Sequence, residues 1–407
     1  MTVFTRGWAL ALTMAASTAQ GANQEIRATF RPDPSQPSKN VFINQTPNSG
    51  YCADYPNQCA ENLMFSIRVP VNFTSTGSLV PGDGIAVKAP ANWRWLTVTN
   101  ADTQETETVE IRITGIGSTY HLSHTANELT GTQGDDVEGH RALWTTSSWV
   151  NAPAPCRFSG NLPYSPKSYG FFWKTPVEAP CTKYAAYAIP SMSFQSLDFA
   201  YELRTPNPLG MSSGLYTGSM RYGIEPGGDF DFGALMRPDD GDLTLDFVLD
   251  VQHTLKVDLP PGGNNVTLEP EGGWARWMDS GRKPPKIFRD QPFHISASSR
   301  FKVMLLCDSY GGNSCRLGST KGNTTHVQVS MTLPPGITHP GSDGNVTRLP
   351  LSFNNWIGPF QPGLYVDRKP GAIHFEMTRF DIDFLLKDPA LTDRLRGNVT
   401  VIWDSEV

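Results

Sequence analysis

Residues 243–249 read LTLDFVL, and the alternation of apolar and polar positions in that stretch sets the fold class. A period of two places every second side chain on one face, as a half-buried strand requires. The same period recurs on either side: LMFSIRVPV at 63–71, VEIRIT at 109–114, FKVMLL at 301–306, VQVSMTL at 327–333 and VTVIW at 399–403. In VEIRIT, Val109, Ile111 and Ile113 share a face. Turn residues bound each run, and 37 Gly with 33 Pro leave little room for long amphipathic helices. Short strands with such punctuation predict an all-β chain of the immunoglobulin-like sandwich type. The one helical expectation is a turn or two from Asp388 to Leu395, with Asp388 as cap and Pro389 at the first position.

A length of 407 residues suits two domains. The run GGDFDFGALMRPDDGDL at 227–243 interrupts the alternation, which resumes at Leu243. A linker is therefore expected at 235–241, between an N-terminal domain of residues 22–234 and a C-terminal domain of residues 242–407. GLYTGSMRY (214–222) and LRGNVTVIW (395–403) lie just before the expected linker and the C-terminus, as if one kind of strand closed both domains.

The first residues read as an address. Arg6 precedes the apolar run GWALALTMAA at 7–16, and small residues follow in STAQGA. This is the pattern of a secretory signal peptide, taken as 1–21, with cleavage between Ala19 and Ala22. The run is too short to span a bilayer. Secretion makes the six cysteines a disulfide framework, with nearest-neighbour pairs Cys52–Cys59, Cys156–Cys181 and Cys307–Cys315. No C-x-x-C occurs and the eight His are scattered, so neither a metal nor another cofactor is expected. With 33 basic against 39 acidic residues and no dense basic run, nucleic acid is not an expected partner.

About six strands can be counted in 242–407, where a complete constant-type sandwich needs seven. If Val399, Val401 and Trp403 line the core, their strand has an open neighbour position close to the chain's last residue. Such an edge is an aggregation hazard unless another chain adds a strand to it.

Three segments resemble fimbrial adhesins of the chaperone–usher pathway: SGLYTGSMRYGIEPGGDFDFG (213–233), the strand led by Gly397 and ending IWD (402–404), and the start GYCADYPNQC followed by FSIRVP. The resemblance implies a bacterial protein carried through the periplasm to a fimbrium on the cell surface. It implies an N-terminal receptor-binding domain and a C-terminal pilin domain lacking its last strand. The groove beside Val399, Val401 and Trp403 would take a strand from a periplasmic pilus chaperone, and then from the adjacent pilin subunit at the outer-membrane usher. Two departures leave open a minor or adaptor subunit in place of a tip adhesin. Cys307 and Cys315 can close only a local loop, and the final strand carries Trp403 where the family often has Tyr.

Catalytic motifs do not hold up. Gly210 to Gly214 fits G-x-S-x-G, but Pro206 and Pro208 precede it and a strand pattern follows, so the strand–elbow–helix context is missing. Asp239, Asp240 and Asp242 lack the Glu and the helices of a calcium loop. The chain is read as a non-enzyme. A secreted carbohydrate-active hydrolase using Asp135 or Asp136 is the alternative, and a eukaryotic secreted protein glycosylated at its six N-x-[ST] sequons is a third reading. A glycan receptor needs an exposed aromatic for the apolar face of the sugar and polar groups for its rim. The N-terminal domain has Trp93 and Trp95, and a second set around the loop 151–180. Trp144, Trp149, Tyr164, Lys167, Tyr169 and Trp173 are taken as the receptor-binding residues, with PYSPKSYGFFW (163–173) as the ligand face.

Overall fold

The structure is a computed structural model that describes residues 21–341, 344–387 and 394–405. Residues 1–20 of the expected leader lie outside it, as do residues 388–393 of the expected helical turns. Arg394 and Leu395, at the end of those turns, are described and are not helical.

The chain is all-β, as its alternation requires, and it buries two main apolar cores. The first is organised by the 17-residue strand Thr106–Leu122. Along one edge this strand pairs with Arg94–Asn100 and then Ser168–Lys174. Along the other it pairs with Leu197–Arg204 and then Met192–Phe194. Val109, Ile111 and Ile113 point into the core, fully buried. Two glycines on this strand make room for a neighbour: a Cβ at Gly115 or Gly117 would lie 2.5 Å from the Phe172 ring.

The expected domain boundary is wrong. Asp242–Val251 is not the opening strand of the second unit but a central strand of the first. It runs parallel to Ala22–Phe30, from Ala22 opposite Leu243 to Phe30 opposite Val251, and antiparallel to Gly214–Gly223. Leu243, Leu245, Phe247, Leu249 and Val251 join Ile26, Ala28 and Phe30 in the first core. Nor is 235–241 a linker. Met236–Pro238 forms a strand against Phe73–Ser75, and Met236 is buried. The acidic run that reads as solvated spacer satisfies backbone donors: Asp239 accepts from the Asn72 amide at 2.9 Å and Asp240 from the Ala22 amide at 2.7 Å. The connection between the units is Gln252 to Thr254. Gly214–Gly223 accordingly lies inside the first unit and does not close it.

The second core lies between two sheets. One contains, in order, Leu255–Asp258, Ile287–Ala297, Val366–Met377, Thr324–Thr332, Ser314–Gly318 and Tyr310–Gly311. The other contains Ile337–Thr338, Trp356–Pro362, Phe301–Cys307 and Val399–Ser405. Ile287–Ala297 and Phe301–Cys307 thus lie in different sheets, the chain crossing between them at Ser298–Arg300. After the strand Val366–Met377, Thr378 caps a short helix, Arg379–Leu385, by accepting from the Asp381 amide at 3.3 Å.

All three disulfides pair as expected. Cys307–Cys315 does more than close a local loop, because Cys307 ends a strand of one sheet and Cys315 lies on a strand of the other. Cys156–Cys181 anchors the loop that leads to a buried cation. Lys183, fully buried on Cys181–Tyr184, donates to the carbonyls of Thr146, Ser147 and Ser148 at 3.0, 3.1 and 3.0 Å. Burial pulls its pKa down to about 8. Replacing Lys183 with Met should cost about 3 kcal/mol, since it orphans three carbonyls in the interior. Between pH 8 and 10.5 the unfolded chain holds the Lys183 proton more tightly than the folded one, so rising pH favours the folded state. The stability advantage of wild type over Lys183→Met, measured by denaturant unfolding, should therefore widen across that interval.

Candidate functional site

Four of the six expected receptor-binding residues are core. Trp149 and Trp173 are 0% exposed, Trp144 2% and Tyr169 4%. The reason lies in the strand Ser168–Lys174, which is buried along its whole middle and does not alternate. Tyr169, Phe171 and Trp173 enter the main core. Phe172 points the other way, beneath the helices Tyr51–Asp54 and Pro56–Asn62, which the Cys52–Cys59 disulfide ties together. There it stacks on Tyr51 with ring centroids 4.1 Å apart. Trp149 is the hub of the aromatic core, with Phe171, Trp144, Trp173 and Phe194 all within 5.2 Å between centroids. A buried polar chain braces the same region. The Trp144 indole N–H donates to Tyr120 Oη at 3.4 Å, Tyr120 donates to His140 Nδ1 at 2.6 Å, and His140 Nε2–H donates to the Ser165 carbonyl at 2.7 Å. Burial lowers the His140 pKa and keeps the ring neutral, as that chain requires.

Tyr164 and Lys167 do reach the surface. Tyr164 is 42% exposed and stacks on Tyr169, while Lys167 Nζ donates to the Ser123 carbonyl at 3.1 Å. They form no wider aromatic face. Asp135 and Asp136 sit at the start of the helix Asp136–Ala142, where a carboxylate favours the helix dipole. Among the described residues no group of three or more His, Cys, Asp or Glu could hold a metal ion.

Among the described residues of the first unit, Trp95 is the most exposed aromatic, at 73%. On the strand Arg94–Asn100, Leu96 and Val98 face the core, so parity alone sends Trp95 outward. Trp95 lies opposite Glu110, and Glu110 opposite Arg204, across three adjacent strands. Beside this row Arg112 donates to Glu202 at 2.8 Å. Two guanidinium groups lie over the Trp93 ring, Arg204 at 4.0 Å and Arg112 at 4.6 Å from its centroid. Trp93, Arg94, Trp95 and Met220 line a shallow depression. The sequence pattern W-R-W before LTV carried this signal.

In the second unit, Val399–Ser405 pairs with Phe301–Cys307, Val401 lying opposite Leu305 and Trp403 opposite Val303. Leu305 and Val303 are buried, so Val399, Val401 and Trp403 face the same core, yet each stays partly exposed. Trp403 reaches Phe293 and Phe301, with centroids 5.2 and 5.9 Å away. Among the described residues the other edge of Val399–Ser405 pairs with no strand. Leu255–Asp258, at the margin of the facing sheet, is likewise paired on one side only.

No protein-family model matches the chain, and no curated protein matches it. Its solved-structure neighbours are tip adhesins of fimbriae. One is in a chaperone–tip adhesin complex of CFA/I fimbriae biogenesis: 11% identity, 95% of this chain and 97% of that chain covered, TM-score 0.25. A second is CfaE, the adhesive subunit of the CFA/I fimbria of enterotoxigenic Escherichia coli: 10% identity, 95% and 98% covered, TM-score 0.24. A third comes from the CsuC–CsuE chaperone–tip adhesion subunit complex of the archaic chaperone–usher Csu pili of Acinetobacter baumannii: 13% identity, 94% and 98% covered, TM-score 0.21.

The burial data make a sharp contrast testable. Trp149→Ala should destabilise the first unit by about 3–5 kcal/mol, as large-to-small changes of a core aromatic do. Tyr164→Ala should stay within about 1 kcal/mol of wild type, as surface changes do. Chemical denaturation of the two variants measures both.

Proposed function

We propose that the chain is an adhesin or adhesin-like minor subunit of a surface fimbrium assembled by the chaperone–usher route. Its second unit accepts a strand from another chain along the free edge of Val399–Ser405, and its first unit binds a receptor, with no turnover. One observation supports this: the strand Val399–Ser405 faces the core with three apolar side chains but, among the described residues, has a neighbour on one side only. A sandwich left in that state exposes backbone donors and acceptors together with part of its core. An added strand satisfies both, its backbone completing the ladder and its alternate side chains covering Val399, Val401 and Trp403. The periplasmic chaperone would fill the edge first and the adjacent pilin subunit afterwards, at the outer-membrane usher. The secretory leader read in the sequence and the three disulfides suit a periplasmic route. No helix among the described residues is long and apolar enough to cross a membrane.

A donor peptide of alternating apolar residues, fused through a flexible linker after Val407, tests the edge. The melting temperature of the second unit should rise by about 10 °C or more, the equivalent of about 3–5 kcal/mol for a unit of this size. Val401→Asp in the fused chain should remove most of that gain by placing a carboxylate against the core. An unchanged melting temperature on fusion, or an equal gain in the Val401→Asp chain, would show the sandwich to be complete and sink the proposal.

A further inference from the structure

We infer that the outer face around Trp95 is a carbohydrate site that takes a neutral pyranose, its indole stacking on the sugar's C–H face and the paired charges beside it holding the hydroxyl rim. The inference rests on reading the first unit as the receptor-binding one, and it assigns the ligand class and the residues. Three observations carry it.

The first is the mounting of Trp95. A strand paired in register holds its backbone, and Leu96 and Val98, next along the strand, are locked into the core. The open indole is thus presented by a rigid element, and ordering it on binding costs little entropy. The second is the row of charges. On the face of Trp95, Arg112 pairs with Glu202 and Arg204 with Glu110 at 3.4 Å. Each of these two cations has its own carboxylate, so the pairs offer donors and acceptors side by side with no net charge. A sugar hydroxyl both donates and accepts, and adjacent hydroxyls match such an arrangement. A sialylated, sulfated or phosphorylated ligand would have to displace a carboxylate from its arginine. An apolar protein surface would have to strip water from both pairs without replacing their hydrogen bonds. The third is shape. Arg94–Asn100 pairs with Gly214–Gly223 only at Asn100 and Thr99, opposite Tyr216 and Thr217. Toward Trp95 that pairing is absent, and Trp93, Arg94, Trp95 and Met220 line a depression beside the indole. Trp93, with the Arg112 and Arg204 guanidinium groups over its ring, brings those two cations to the edge of the depression.

The test uses the full-length mature chain on an array of immobilised oligosaccharides. Neutral galactose-, glucose-, mannose- and fucose-terminated probes are printed beside sialylated and sulfated ones, and binding is read in low and high salt. Binding is expected on neutral probes and should change little with salt. Trp95→Ala should weaken it by at least about tenfold, as loss of a central aromatic anchor does. Trp95→Phe should retain part of it, and Tyr164→Ala should leave it intact. The Trp95→Ala chain should melt at the wild-type temperature, because an exposed ring contributes little to the fold. Neutral-glycan binding that survives Trp95→Ala would overturn the site while leaving receptor binding by this unit standing. Binding confined to sialylated or sulfated probes and lost in high salt would overturn the ligand class. A dimer in sedimentation that Trp95→Ala abolishes, with no glycan bound, would assign the face to a second copy of the chain and overturn the inference. An array with no binding at all would also overturn it, and the donor-peptide experiment would then decide the fimbrial reading independently.

Discussion

The parallel pairing of Ala22–Phe30 with Asp242–Val251 is the constraint on which the organisation of the molecule depends. It brings together the first and last strands of a unit some 230 residues long, so the first core cannot be completed until Asp242–Val251 is in place. Apolar side chains from both strands meet there, Ile26, Ala28 and Phe30 from one, Leu243 to Val251 from the other. The pairing also fixes where the second unit begins. The chain leaves Val251 with only Gln252, His253 and Thr254 before the strand Leu255–Asp258. Long-range pairing of this kind forms late and slowly, because a large loop must close before any contact rewards it.

The two units end in comparable strands that meet opposite fates. Asp242–Val251 is flanked on both sides, and one of its neighbours is the strand at the very start of the described chain. Among the described residues, Val399–Ser405 is flanked on one side. Each turns apolar residues toward a core, but those of Asp242–Val251 are essentially fully buried and those of Val399–Ser405 are not. The Cys307–Cys315 bridge holds the two sheets of the second unit together, so such a unit can keep its shape while one edge stays open.

Much of this was legible in the residues, and the failures have physical causes. Alternation located most strands, because one face of each is wet. Cysteine spacing found the disulfides, because all three are local. The strand Ser168–Lys174 was misread because it is covered on both faces and shows no alternation. Aromatic density beside a disulfide then resembled a ligand face when it marked the thickest part of the core. The acidic run near Asp240 was misread because the donors it satisfies, at Ala22 and Asn72, lie far away in sequence. No local pattern announces a parallel partner more than 200 residues distant. Trp95 could have been singled out by parity alone, since Leu96 and Val98 on the same strand are plainly core-facing.

The junction between the units ties these features into one path. His253 Nε2–H donates to the Met211 carbonyl at 2.9 Å, and its Nδ1 accepts from Ser298 Oγ at 3.0 Å, so one neutral tautomer bonds to both units. Burial lowers its pKa and keeps it in that form. Alongside, Gln361 Nε2 donates to the Leu209 carbonyl at 3.1 Å, and Arg300 faces Glu105 at 3.6 Å. Glu105 is itself held by the Tyr216 hydroxyl at 2.6 Å and the Ser212 amide at 2.9 Å, at the base of the hairpin whose first strand carries Trp95. Asp242–Val251 leads into this junction with a ladder on each side, so many hydrogen bonds must fail together before the strand slides, and the parallel partner Ala22–Phe30 provides the second ladder.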